Sequence, residues 1–251
     1  MGDSLPKQNG MINTIYLIII IYFFAGALAF NFINKKKEPE LARQSWMKLG
    51  SYFVIINLTF FSIVVNQAVF KVLAIIIAGV GLFELFRLFF QSGFRKKLFF
   101  LMFLAGFMAF CLGFLVFSRF ETGLVLFTFL ILSVFDGFSQ ICGQLFGRQK
   151  IFPKISPNKT TEGLIGGVLI AVSSAMLLEG LINTTHIVAM RMAVGIVVFA
   201  LVGDVATSWF KRQYGVKDFS RLIPGHGGFL DRFDSLIGGG AWIAFLEFYV
   251  Y

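Results

Sequence analysis

Eight apolar stretches, parted by short polar ones, divide the chain at about residues 12–33, 51–66, 68–90, 98–117, 122–146, 163–182, 186–210 and 236–250. Each reaches or approaches the ~20 residues that an α-helix needs to cross a hydrocarbon core, the second and the last being shortest. The pattern predicts an all-α, polytopic membrane protein with about eight transmembrane helices and no internal repeat or soluble domain. The first stretch ends near Ala27-Leu28-Ala29, which matches a signal-peptide cleavage pattern. Its leading segment, however, balances Lys7 against Asp3, and Lys35-Lys36-Lys37 follow at once. A basic stop after the span favours an uncleaved helix with its N-terminus outside.

The polar breaks set the orientation. Of 22 Lys and Arg residues, 17 fall in the connections after the first, third, fifth and seventh stretches. The intervening breaks, near Asn66-Gln67, Arg119–Glu121 and Asn183–His186, carry almost none. Basic loops stay on the cytoplasmic side, so both termini are expected outside. This placement also absorbs the net charge of +9, which would otherwise invite a nucleic-acid partner; none is expected.

Composition agrees. The chain of 251 residues is 57% hydrophobic and 14% charged, with 34 Phe, a number that suits lipid-facing surfaces. Cys111 and Cys142 both sit inside apolar runs and read as small buried hydrophobes rather than a disulfide framework. Within the spans, Glu84 and Arg87 are spaced to pair on one helix face. Glu179 and Arg191, near the outer ends of their spans, are placed to snorkel or pair. Asn183-Thr184-Thr185 is a formal glycosylation triplet, taken as coincidence.

The segment Gly203–Ser235 departs from this lipid-soluble pattern. It carries Asp204, Asp218, Asp231 and Asp234, together with Lys211, Arg212, Lys217, Arg221, Arg232 and His226, around the turn Pro224-Gly225-His226-Gly227-Gly228. Charges next to or within a bilayer are costly, so acids there point to function. Two polar stripes recur at helical spacing: Asp136, Ser139, Gln140, Gly143 and Gln144, and then Asp204, Thr207, Ser208 and Lys211. Both lie toward the cytoplasmic ends of their spans and should turn inward. Asp204 precedes Lys211 by seven residues, roughly 10 Å along a helix.

The spans beginning near 163 and 236 start on that same side and aim their dipoles at it. Ser156-Pro157 or Thr160/Thr161 would cap the first, and Asp234-Ser235 the second. Helix N-termini among Lys159, Lys211, Arg212 and Arg232 suit polyanions. Gly163, Gly166, Gly167 and Gly238-Gly239-Gly240 allow close backbone approach. Asp204 and Asp231 are the leading metal ligands, with Asp234 and Asp136 behind them. Oxygen ligands without Cys or paired His favour a hard cation such as Mg2+, with a second cation as a further expectation. The competing role for Asp204 is a salt bridge with Lys211, and for Asp218 the shaping of a loop. His226, in its glycine turn, is as well suited to hydrogen bonding within the turn as to acid–base work.

The order Ser208, Lys211-Arg212, Lys217-Asp218, Pro224-Gly225-His226-Gly227-Gly228, Asp231-Arg232 and Asp234 resembles the signature of the phosphatidate cytidylyltransferases, or CDP-diacylglycerol synthases. It runs over 27 consecutive positions without a gap. A second block, from Asp136 through Ile155-Ser156-Pro157-Asn158-Lys159-Thr160-Thr161-Glu162-Gly163, is similar to that family's upstream segment. Together they cover roughly residues 123–251. Thr207 departs from the pattern, which usually has Glu there. The chain thus divides into N-terminal helices, residues 1–121, and a C-terminal catalytic region, residues 122–251.

The resemblance implies transfer of the cytidylyl group from CTP to phosphatidate, giving CDP-diacylglycerol and pyrophosphate in phospholipid biosynthesis. It implies catalytic roles for Asp204, Asp231, Lys211, Arg212 and Asp234. It implies a substrate pocket shaped by Ser156, Lys159, Thr160, Glu162, Lys217, Asp218, His226, Gly227, Gly228, Arg232 and Asp136. It further implies a multi-pass protein of a bacterial inner or plasma membrane, a cytoplasm-facing site, membrane lipids as surroundings and a homodimer. One alternative keeps the fold and changes the acceptor: another lipid phosphate, or a CTP-dependent lipid kinase that would release CDP. A transporter is a third reading, but it would call for inverted repeats and broken mid-span helices, and neither is visible.

Overall fold

The computed structural model describes residues 4–34, 39–220, 222–223 and 227–250. Among them are eight α-helices: α1 (Ser4–Asn34), α2 (Pro39–Val65), α3 (Gln67–Gln91), α4 (Lys97–Phe117), α5 (Thr122–Phe146), α6 (Thr161–Leu178), α7 (His186–Gln213) and α8 (Leu230–Val250). Six of these, α2 through α7, contain a stretch long and apolar enough to cross a membrane. In α1 the corresponding stretch is shorter, Gly10–Phe24. In α8 the first turns carry Asp231, Arg232 and Asp234.

The chain is mostly helical, but not entirely so. Between α5 and α6, β1 (Lys150–Phe152) and β2 (Ser156–Thr160) form an antiparallel hairpin that pairs Lys150 with Thr160 and Phe152 with Ser156. An irregularity interrupts the register between the two pairs. The apolar pattern had left this segment as the connection after the fifth stretch; with so few residues, the strands leave no readable alternation.

The chain forms two compact units, one from Met1–Thr59 with Ile223–His226, the other from Phe60–Leu222 with Gly227–Tyr251. In the first, Phe23 is buried and meets Phe53 edge to face at 5.0 Å, and the Tyr16 hydroxyl donates to Asn57 Oδ1 at 3.2 Å. In the second, α8 lies against α7 and α4, and α6 lies between α5 and α7. Two of these contacts need glycine. A Cβ on Gly203 of α7 would stand 2.6 Å from the Asp234 carbonyl oxygen, and one on Gly238 of α8 would stand 2.3 Å from that of Phe199. Gly163 does the same for α6 against Ser139 of α5. Gly163 near the start of α6 and Gly238 within α8 therefore serve packing.

Phenylalanine serves the interior as well as the surface. Phe70, Phe114, Phe117, Phe127, Phe210 and Phe219 are among the largest fully buried side chains, whereas Phe24, Phe83 and Phe146 are exposed. Offset and edge-to-face ring contacts stabilise such interiors beyond area burial alone. Phe99, Phe103, Tyr214 and Phe219 cluster around Phe210 in this way.

Candidate active site

The candidate site is built where α5 and α7 end and where α6 and α8 begin. On α7, the helical period sets Asp204, Ser208 and Lys211 on one face, with Thr207 beside them. Lys211 and Asp231 form an ion pair whose side chains are 9% and 3% exposed. A buried charge persists only when it is paired and hydrogen-bonded, and both conditions hold. Asp231 Oδ2 also accepts the backbone N–H of Gly228 at 2.9 Å and of Phe219 at 3.1 Å. The Lys211 ammonium stands 5.3 Å from the Phe219 ring centre. The partner of Lys211 is therefore Asp231, not Asp204 as helical spacing alone had allowed.

Asp204 pairs with Lys159 instead, across a gap of 45 positions, and each side chain is about one-quarter exposed. The hairpin makes this possible. Thr160 ends β2 and caps α6, its hydroxyl oxygen accepting the Gly163 N–H at 3.2 Å. Glu162 accepts the N–H groups of Arg148 and Gln149 at 3.0 and 3.3 Å. Arg212 donates from Nε to the Ile155 carbonyl at 3.0 Å and from Nη1 to the Val216 carbonyl at 3.1 Å. Thr160, Glu162 and Arg212 thus hold backbone in place, and Lys159 is the hairpin residue delivered to Asp204. Ser156 lies opposite Phe152 in the strand pair.

Asp234, one turn into α8, is buried. Its Oδ2 accepts the Thr207 hydroxyl at 2.6 Å, and its Oδ1 accepts the Ser235 N–H at 2.8 Å. It lies within electrostatic reach of Asp204, Asp231 and Lys211. Asp136 on α5 lies within similar reach of Asp204, Lys159 and Arg232. The guanidinium Nε of Arg232 is buried and, among the described residues, has no hydrogen-bond partner. Ser208 donates its hydroxyl to Asp204 Oδ1 over a long 3.5 Å.

Seven residues singled out in the sequence therefore converge from α5, β2, α7 and α8: Asp136, Lys159, Asp204, Lys211, Asp231, Arg232 and Asp234. Others stand apart. Asp218 lies against Gly227, whose φ of +87° only glycine adopts freely; a Cβ there would fall 2.9 Å from the Asp218 carboxyl carbon. This fits the loop-shaping role. Lys217 is exposed. Arg221, Pro224, Gly225 and His226 lie outside the described residues.

Two expectations change. Asp234-Ser235 does not cap α8, which begins earlier at Leu230; Asp234 instead closes on Thr207. Glu84 does not pair with Arg87. Its oxygens take the Ser220 hydroxyl and the N–H groups of Phe229 and Leu230 at 3.0 and 2.7 Å. The signal was an acid in the middle of an apolar span, but its partner 146 positions away could not be read from spacing. On the far side of this unit, Glu179 pairs with His186, not with Arg191.

Beside the charged cluster lies an apolar cavity of about 400 Å³ between α4, α7 and α8. Phe103, Phe107 and Phe110 line it, exposed Met102 and Trp209 flank it, and its polar members are Thr207 and Asp234.

A model of the cytidylyltransferase family matches residues 8–250. The chain belongs to the cytidylyltransferase family. Within that family, the chain is similar to proteins named phosphatidate cytidylyltransferase. That of Staphylococcus epidermidis is 43% identical over 115 residues, covering 45% of this chain and 44% of the relative. That of Haemophilus influenzae is 39% identical over 133 residues, 51% of this chain and 46% of the relative. That of Staphylococcus aureus is 42% identical over 115 residues, with 45% and 44% covered. Each match thus spans less than half of the relative's length.

Proposed function

We propose that this cytidylyltransferase-family protein moves the cytidylyl group of CTP onto phosphatidate. The observation that carries this reading is the pair of acid–lysine contacts, Lys159–Asp204 and Lys211–Asp231, set beside Arg232, whose buried Nε has no hydrogen-bond partner among the described residues. Two polyanions must meet for this reaction, and cations that can exchange a carboxylate for a phosphate are what their meeting needs. The names of the relatives point to the same substrates.

A phosphate oxygen of phosphatidate attacks the α-phosphorus of CTP in line. The bond to the β-phosphate bridge breaks, and pyrophosphate carries away the electron pair. The attacking group is already anionic, so no strong base is required. Lys159, Lys211 and Arg232 oppose the charge on the entering phosphate and on the leaving pyrophosphate. Asp136 and Asp234 balance those cations when no substrate is present.

Among the described residues, no group of three or more His, Cys, Asp or Glu side chains gathers as a protein cage for a metal. The oxygen-only donor set nevertheless fits Mg2+, which is usually held by one or two carboxylates plus substrate phosphates. Asp204, partly open, and Asp231 through Oδ1 would hold it. Bound there, Mg2+ supplies neutralisation of the phosphate oxygens. A second cation would have Asp136 or Asp234 at hand.

The apolar cavity supports a lipid acceptor. An acyl chain entering between α4 and α7 from the bilayer would bring its headgroup toward Thr207 and Asp234, while CTP arrives from water. The distribution of basic connections supports eight crossings, outside termini and a site facing the cytoplasm of a bacterial plasma membrane. The kinase alternative has no observation in its favour.

The test is pyrophosphate release by the detergent-purified protein with CTP, phosphatidate and Mg2+, beside Asp204→Asn. Lipid-dependent release that the variant loses is the expected result. CDP in place of pyrophosphate, or no release with CTP still bound, would overturn the reading.

A further inference from the structure

Glu84 is a fully buried carboxylate in the middle of an apolar helix, and the transfer chemistry does not use it. Burying a carboxylate is costly unless hydrogen bonds compensate it, so its three donors reveal what it is for. Its Oε1 accepts the Ser220 hydroxyl and the Phe229 N–H, and its Oε2 accepts the Leu230 N–H. Ser220 precedes the Pro-Gly-His-Gly-Gly turn; Phe229 and Leu230 follow it and open α8. One carboxylate therefore ties the two ends of that connection together.

Asp231 repeats the arrangement one layer away. Its Oδ2 joins Phe219, before the Pro-Gly-His-Gly-Gly segment, to Gly228, the last residue of that segment. The two acids form a double clasp on the neck of the connection. Gly228 threads between them: a Cβ there would lie 2.8 Å from Asp231 Oδ2 and 3.0 Å from Glu84 Oε1. Both acids also face the positive end of α8, where unpaired N–H groups favour negative charge. Because Glu84 occupies the N–H groups of Phe229 and Leu230, an incoming phosphate has Arg232 rather than those amides to bind.

We propose that Glu84 is a positioning residue for the reaction. By closing the neck, it fixes the first turn of α8, and with it Asp231 opposite Lys211 and Arg232 beside Asp136. This rests on the transfer reading for its effect on rate, but the clasp itself is a matter of geometry. It also gives α3, outside the signature-bearing region, a part in the site.

The test uses the full chain in nanodiscs, with Glu84→Gln and Ser220→Ala. Glutamine keeps the volume but leaves one oxygen for three donors and adds an N–H2 facing them. Two readouts are taken: amide hydrogen exchange, and steady-state kinetics with CTP and phosphatidate. Glu84→Gln is expected to speed exchange at Gly228–Leu230 by roughly 10- to 100-fold, the range for disrupting buried hydrogen bonds. Exchange in α5 and α6 should stay unchanged, and kcat should fall by a similar factor with KM for CTP held. Ser220→Ala should give a smaller change in the same direction, because both backbone donors remain. Unchanged exchange at the neck, or exchange raised uniformly through α5–α7, would overturn the proposal, as would a loss confined to KM. If the wild-type protein releases no pyrophosphate, the transfer reading falls and the rate claim with it. Exchange at the neck then decides the clasp alone.

Discussion

Thr207 on α7 donates its hydroxyl to Asp234 Oδ2 on α8 at 2.6 Å, and both residues line the apolar cavity. The same hydroxyl lies 3.0 Å from the Asp204 carbonyl oxygen of its own helix. The resemblance implied Glu at this position; Thr207 instead places a neutral donor beside a buried acid. Thr207→Val keeps the shape and removes the donor. Leaving a buried carboxylate short of one partner should lower stability by about 1–3 kcal/mol. Thermal unfolding in detergent checks this; an unchanged transition would mean that Asp234 is satisfied without Thr207.

The two lysine–aspartate pairs should behave differently. Lys159 and Asp204 are each about one-quarter exposed, and exposed pairs contribute only about 0–1 kcal/mol. Lys159→Met should therefore leave the unfolding temperature nearly unchanged while lowering pyrophosphate release by about 10-fold or more, as loss of one phosphate-binding cation does. Equal losses of stability and activity would make Lys159 a structural residue.

Lys211 is the opposite case. Its removal strands Asp231, which is 3% exposed. Breaking one side of a buried pair costs about 3–5 kcal/mol. Lys211→Met should unfold the protein at markedly lower temperature, and adding Asp231→Asn should restore part of that loss. A double variant as unstable as the sum of the two would show that the pair is not coupled.

The apolar cavity offers a test of lipid binding that leaves the charged residues intact. A Cβ on Gly106 meets nothing within 4 Å, and Gly106 lines the cavity. Gly106→Leu should fill it without backbone strain. KM for long-chain phosphatidate should rise by about 10-fold or more, within the roughly 10- to 200-fold discrimination that a methylene-scale change allows, and KM for CTP should hold. Equal changes in both would place the acyl chain elsewhere.

Chelation is the last prediction. EDTA should abolish pyrophosphate release, and Mg2+ should restore it, while the unfolding temperature without substrate changes little, because the carboxylates are already paired with lysines. A large drop in that temperature on chelation would point instead to a structural metal.

Much of the molecule was legible along the chain. Apolar length placed α3, α4 and α5 almost to the residue, because a helix that must satisfy its own backbone in lipid shows as an uninterrupted apolar run, whereas α1, α2 and α8 begin well before their apolar stretches, in polar sequence. Helical spacing put Asp204, Ser208 and Lys211 on one face, and the departure from apolarity between Gly203 and Ser235 marked the site. The hairpin Lys150–Thr160 was not legible, because its strands are too short for a period.

Partnership was decided only in three dimensions. Spacing proposed Glu84 with Arg87 and Asp204 with Lys211, and their place at the outer span ends left Glu179 and Arg191 to snorkel or pair, all on local or adjacent elements. The folded chain instead joins Glu84 to Ser220 and the start of α8, Asp204 to Lys159, Lys211 to Asp231 and Glu179 to His186. The physical reason is that charge and period specify which side chains must turn away from lipid, whereas the partner each one meets depends on which helices lie side by side. That is set by glycine contacts such as Gly203 on Asp234 and Gly238 on Phe199, and by rings stacked around Phe210. The sequence by itself determined a helical membrane chain with one charged end and the residue types needed for phosphate chemistry. Tertiary packing determined which acid faces which lysine, and that α3 holds the neck of the site.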